Sequence, residues 1–280
     1  MYFGIVTPNF GRCCGSAKDL AELAFEAENC GWDGFFIFDH ILYSINGPVP
    51  LVDPWIALAA IAVNTKRVRI GPLVTPLARR RPWKLAREAT SIDHLSGGRL
   101  TLGVGLGDPA GVDFAPFGED CETKVRAERL DEALEVLAGL WRGERFTYAG
   151  KHYQLTNVQF LPRPLQTPRI PVWVAGRWPT RRPFVRAARW DGVFPLGLAR
   201  GSRLNPDEIR SVATFIRKHR TDTSPYDIVA TSGANGQADE GEALRMYAEA
   251  GATWWLQDLR NWCDSRQEMS NRIRNGPPTL

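Results

Sequence analysis

The chain is poor in cysteine and histidine and has no long apolar run. Its five cysteines, Cys13, Cys14, Cys30, Cys121 and Cys263, are odd in number, form no CxxC pair and show no spacing that suits zinc. Adjacent Cys13 and Cys14 cannot readily pair with each other. A disulfide framework is therefore excluded, and reduced thiols in a cytoplasmic protein are expected. No apolar stretch approaches the ~20 residues needed to cross a bilayer, so no membrane partner is expected. Met1 to Val6 has no basic segment ahead of a longer apolar run, so it reads as a strand and not as a signal peptide. The four histidines, His40, His94, His152 and His219, give little for a metal site. There is no HxH on the first strand and no histidine suitably placed on the later ones. Asp39, His40 and Asp108 could make only a weak site, so no catalytic metal is expected. No GxGxxG follows the first strand, which counts against an open, doubly wound dinucleotide-binding sheet. The formal net charge is only +4, and no basic stripe or recognised motif suggests a nucleic-acid partner.

What is present is a regular alternation. Strand-like runs at 3–7, 34–38, 68–74, 100–104, 170–175, 192–196, 226–231 and 253–256 are each followed by a run of helical period. Gly34-Phe35-Phe36-Ile37-Phe38 is apolar at consecutive positions, as a parallel strand buried on both faces should be. Ser16 with Asp19, Asp53 with Pro54, and Asn205-Pro206-Asp207-Glu208 are helix starts. Eight strand–helix units imply right-handed crossovers and a closed barrel, a single-domain (β/α)8 or TIM barrel over residues 1–280. Residues 143–168, with two β-like patches and several prolines, are expected to be an excursion between elements.

A barrel of this kind carries its chemistry at the C-terminal ends of the strands. The polar residues just past those ends are Thr7 and Asn9, Asp39 and His40, Thr75 and Arg79 to Arg81, Asp108, and Gly176, Arg177, Thr180, Arg181 and Arg182. His40 is the one histidine that ends a buried strand, which suits it to proton transfer. It could equally be a structural residue bonded to Asp39 or a loop carbonyl. The Ala175–Arg182 stretch joins a strand to a helix, and its amides and arginines suit a phosphate. Gly103-Val104-Gly105-Leu106-Gly107-Asp108 lacks the lysine of a phosphate loop; its glycines suit the close approach of a flat ring. Trp178 is expected at the pocket mouth.

Several runs together resemble the luciferase-like monooxygenases and deazaflavin-dependent oxidoreductases. They are Gly34 to His40, Arg69 to Pro76, Leu95 to Gly105, Glu128-Arg129-Leu130-Asp131-Glu132, and Pro171 to Gly176. The resemblance covers residues 1 to about 200 and is architectural beyond. It implies an oxidoreductase holding one reduced flavin (FMN) or deazaflavin (F420) at the barrel mouth. Pro72, Leu73, Val74 and Thr75 would form a bulge, often with a non-prolyl cis peptide, behind the ring. His40 would sit over the ring, and Asp39 would touch the ring or orient His40. Asp108 takes the place of a carboxylate of the sugar-phosphate dehydrogenase branch, where that branch has glutamate. Gly105 and Gly107 would lie near the ring, and Ala175, Gly176, Arg177 and Thr180 near the phosphate. Reduced FMN with oxygen would imply monooxygenation, and F420 would imply hydride transfer. The arginines favour F420. The small-molecule substrate is not legible, and a homodimer is implied. The alternative is a non-catalytic flavin-binding relative or partner subunit, which would tend to lose His40.

Overall fold

A computed structural model describes residues 1–43, 47–107, 110–232 and 241–279. Its first half runs β1 (Tyr2–Thr7), α1 (Ala17–Asn29), β2 (Gly34–Ile37), α2 (Pro54–Asn64), β3 (Arg69–Pro72), β4 (Thr75–Pro76), α3 (Pro82–Ser96), β5 (Leu102–Gly105), α4 (Ala110–Asp113) and α5 (Thr123–Trp141). The second runs β6 (Phe146–Ala149), β7 (Gln154–Val158), β8 (Val172–Arg177), α6 (Arg181–Ala187), β9 (Gly192–Leu196), α7 (Pro206–His219), β10 (Asp227–Thr231), α8 (Glu242–Glu249), β11 (Trp254–Asp258) and α9 (Arg266–Arg274).

The sheet order is β3-β2-β1-β11-β10-β9-β8-β5-β4, with parallel pairing between neighbours. The two end strands, β3 and β4, are halves of one interrupted strand, separated by the cis peptide Leu73–Val74. Ile70 of β3 also bridges Leu100 in parallel, just ahead of β5, and this closes the ring. Closure is tight at Gly71, where a Cβ would fall 1.9 Å from the carbonyl oxygen of Thr101. The structure is thus a parallel TIM barrel, with the third strand broken where the sequence suggests an unbroken run over 68–74.

Two cores follow from the two faces of each strand. Inside the barrel, Val6, Phe36, Leu73, Trp173, Phe194, Val229, Trp254 and Leu256 fill the space. Phe38, Val74, Ala175 and Leu196 form a partly buried layer on this plug. The larger core lies between strands and helices, with Ile5, Phe35, Leu85, Leu137 and Ile216 among its members. The expected caps form: Ser16 accepts from the Asp19 amide, Asp53 from Trp55 and Ile56, and Asn205 makes a capping box with Glu208. Glu28 ties α1 to the α2–β3 turn by accepting from the amides of Lys66, Arg67 and Val68. The excursion is an antiparallel hairpin, β6–β7, whose Lys151, His152 and Tyr153 amides bond Glu132 of α5. The sixth helix starts at Arg181, and the 105–120 segment contains α4 and a 3-10 turn.

Candidate active site

A cavity of about 470 Å³ opens at the C-terminal ends of the strands. Its floor is the upper apolar layer, Phe38, Val74, Ala175 and Leu196, and Leu73 and Phe194 of the plug below also line it. Arg126, Arg177, Arg186, Arg200 and Arg260 also line it, as do the buried residues Asp39, Asp113 and Asp258.

The expected residues divide into three groups. His40, Leu73, Val74, Gly105, Gly107, Ala175, Gly176, Arg177 and Thr180 all line the cavity. Pro72 and Thr75 do not line it: Pro72 is buried in β3 opposite Ile37, and the buried Thr75 hydroxyl donates to Asp39 Oδ2 at 2.7 Å. Asp108 lies outside the described residues. Trp178 packs on Phe184 and Phe215, at 4.9 and 5.9 Å between centroids, and does not line the cavity. Arg181 and Arg182 are exposed and do not line it either.

Asp39 departs most from expectation. Its side chain is fully buried, and Oδ1 accepts from Arg79 Nη2 at 2.7 Å and Arg80 Nη2 at 2.8 Å. Oδ2 accepts from Thr75, from Arg80 at 2.9 Å and from Trp55 Nε1 at 3.3 Å. Burial works to raise the carboxyl pKa, but the charges of Arg80 and Arg79 outweigh it and hold it below the usual range. The carboxylate is committed to these donors, so it does not orient His40. Asp113 does: its Oδ2 is 2.7 Å from His40 Nδ1. Its Oδ1 accepts from the amides of Ile41 and Leu42 at 3.1 and 3.3 Å. Arg79 spans the two carboxylates, with Nη1 3.9 Å from Asp113 Oδ1. Asn9 holds the His40 backbone from the other side. It donates to the His40 carbonyl at 2.8 Å and accepts from the His40 amide at 3.2 Å.

Arg177 points along the rim and donates through Nη1 to the Gly197 carbonyl at 2.9 Å. Arg186 is paired with Asp131 of α5. Arg126 Nη1 holds the carbonyls of Leu106 and Gly107 at 2.7 and 2.8 Å, fixing the strand end that carries the glycines. Arg260 pairs with Asp258 and lies over the Phe38 ring, 5.1 Å from its centroid. Asp113, Arg126, Asp258 and Arg260 escaped the sequence reasoning. Arg260 follows the eighth strand and was reachable by the strand-end rule; Asp113 ends α4, a helix of four residues that is too short for a periodicity to mark it.

The profile described as luciferase-like monooxygenase matches residues 1–275. An F420-dependent glucose-6-phosphate dehydrogenase of Amycolatopsis mediterranei is 32% identical over 195 residues, which are 69% of this chain and 57% of that protein. The chain thus spans little more than half the length of that relative. The coenzyme F420-dependent tetrahydromethanopterin reductase of Methanopyrus kandleri superposes with a TM-score of 0.75 at 18% identity, covering 98% of this chain and 96% of that one. The monooxygenase RslO1 of Streptomyces bottropensis gives a TM-score of 0.68 at 24% identity, over 98% of this chain and 78% of that one. These two likenesses show a shared fold.

Proposed function

The chain belongs to the luciferase-like monooxygenase family, and from that premise we propose that it is an oxidoreductase that binds one reduced F420 or FMN at the barrel mouth and acts on a small organic substrate. The observation that carries the proposal is the cavity itself: His40, braced by a buried carboxylate, faces an apolar floor ringed by arginines.

The residues present fit such a group. A flat tricyclic ring suits the floor of Phe38, Val74, Ala175 and Leu196, which would otherwise leave partly exposed apolar surface at the top of a packed barrel. The Leu73–Val74 bulge and Gly105 and Gly107 would lie against the ring. Ala175, Gly176, Arg177 and Thr180, with Arg186 beside them, would hold its phosphate-bearing tail. When bound, the group exchanges hydride, and its flavin form can also pass electrons to oxygen. His40 holds or moves a proton at the bound substrate, and Asp108 keeps its proposed role as a second acid–base group. The arginine rim favours the more anionic tail of F420, and the F420-dependent relative supports the same choice. A purely binding role would give the buried Asp113–His40 pair no task.

The proposal includes a homodimer, because α2 leaves Ile56 and Val63 each 63% exposed on a helix whose other face is core. Among the described residues the cysteines form no disulfide, which suits the reducing cytoplasm. Among the described residues, no helix is long and apolar enough to cross a membrane. The test is to add reduced F420 and reduced FMN separately and follow binding and oxidation. Binding and turnover with F420 are expected; binding of neither overturns the proposal.

A further inference from the structure

We propose that Asp113 is the positioning residue of His40, fixing the imidazole with Nδ1 protonated and Nε2 presented to the cavity as a proton acceptor. The consequence for turnover rests on the oxidoreductase reading above; the geometry does not.

An ionised carboxylate can only accept, so the 2.7 Å contact from Asp113 Oδ2 places the proton on His40 Nδ1. Asp113 Oδ1 accepts from the amides of Ile41 and Leu42, and the Arg79 guanidinium is 3.9 Å away. The Asp113 side chain is 1% exposed, so little water competes for it. The ring has little freedom to turn over. Asn9 grips the His40 backbone at both its amide and its carbonyl. Phe10, Phe38 and Tyr43 flank the imidazole, with centroids 5.7, 6.2 and 5.2 Å away. With Nδ1 held on one side, Nε2 lies on the opposite edge of the ring, and His40 itself lines the cavity. Among the described residues, no hydrogen bond is made at Nε2. A substrate O–H can therefore give its proton to the Nε2 lone pair. The imidazolium so formed keeps its Nδ1–H on Asp113, whose negative charge stabilises it. Asp39, next to His40 in sequence, cannot serve, since both its oxygens are taken by Arg79, Arg80, Thr75 and Trp55. A merely structural Asp113 would pin the loop between β5 and α5 to the His40 loop without setting the tautomer.

The test is nitrogen NMR on the apo protein with labelled histidine, at a pH where histidine is neutral, with the His40 signals assigned by their loss in His40→Gln. The wild type should show protonated Nδ1 and unprotonated Nε2. In Asp113→Asn the proton should move largely to Nε2. Turnover should fall about 10²-fold, with cofactor affinity unchanged. A wild-type Nε2–H, an unchanged tautomer in a folded Asp113→Asn, or an unchanged kcat would each overturn the proposal. If Asp113→Asn does not fold, the wild-type spectrum alone decides. Failure of both cofactors to bind would sink the oxidoreductase reading, and the spectrum would still judge the positioning.

Discussion

Replacing Asp39 with asparagine should cost stability first and cofactor affinity hardly at all. The carboxylate faces Arg79 and Arg80, whose side chains are 6% and 19% exposed, and it accepts from both at 2.7–2.9 Å. Among the described residues, the buried Nε and Nη1 of Arg79 and Nε of Arg80 have no hydrogen-bond partner, so the guanidiniums have few other anchors there. Asparagine keeps the size but removes the charge and turns two donors toward donors. Breaking a buried pair in this way costs about 3–5 kcal/mol. Arg79 retains Asp113 at 3.9 Å, which favours the lower end. At about 2–4 °C per kcal/mol for a chain of this class, the midpoint should drop by about 10 °C. The sign with pH follows from the depressed carboxyl. Its contribution is fully present above the ordinary aspartate value of about 3.9, and it is lost as pH falls through the folded value. The gap between wild type and variant should therefore hold steady from pH 8 to 5 and narrow below about 4. Thermal and denaturant unfolding across that range, with cofactor titrations in parallel, make the assay. A variant of normal stability that has lost cofactor affinity would refute the reasoning and return Asp39 to the ring.

Three further outcomes are expected. His40→Ala should lower turnover by about 10²–10⁴-fold, read in steady-state kinetics, while cofactor affinity stays nearly intact. Arg177→Ala should weaken cofactor binding by about 1.5–3 kcal/mol in an equilibrium titration, and unchanged affinity would move the phosphate elsewhere. Ile56→Glu should shift a dimer to monomer in sedimentation, with the unfolding midpoint of the monomer little changed because the side chain is 63% exposed.

The barrel was legible because the parallel strands are largely buried on both faces and the longer helices have a buried stripe. Gly34–Ile37 is buried at every position, as its unbroken apolar run implies. The break at Leu73–Val74 was not legible from periodicity, since both residues are as apolar as the strand around them; it came from the resemblance alone. Strand-end counting picked out His40, Gly176, Arg177 and Thr180, which line the cavity, because a barrel fixes which end of each strand faces the site. It did not foresee the partners of Asp39 and Thr75, which bond each other. Alternation places a residue on a face but does not say that Arg79 and Arg80, about 40 residues on, fold back to claim that carboxylate. It missed Asp113 for the converse reason: the bond to His40 spans 73 residues and joins the end of the short helix α4 to the segment after β2.

The most direct test is a crystal structure of the chain with bound F420. The ring should lie on the floor of Phe38, Val74, Ala175 and Leu196, with one face toward His40 and the phosphate within reach of Gly176 and Arg177. A ring bound elsewhere on the chain, or one seated in this cavity with His40 turned away from Asp113 and out of reach, would contradict it.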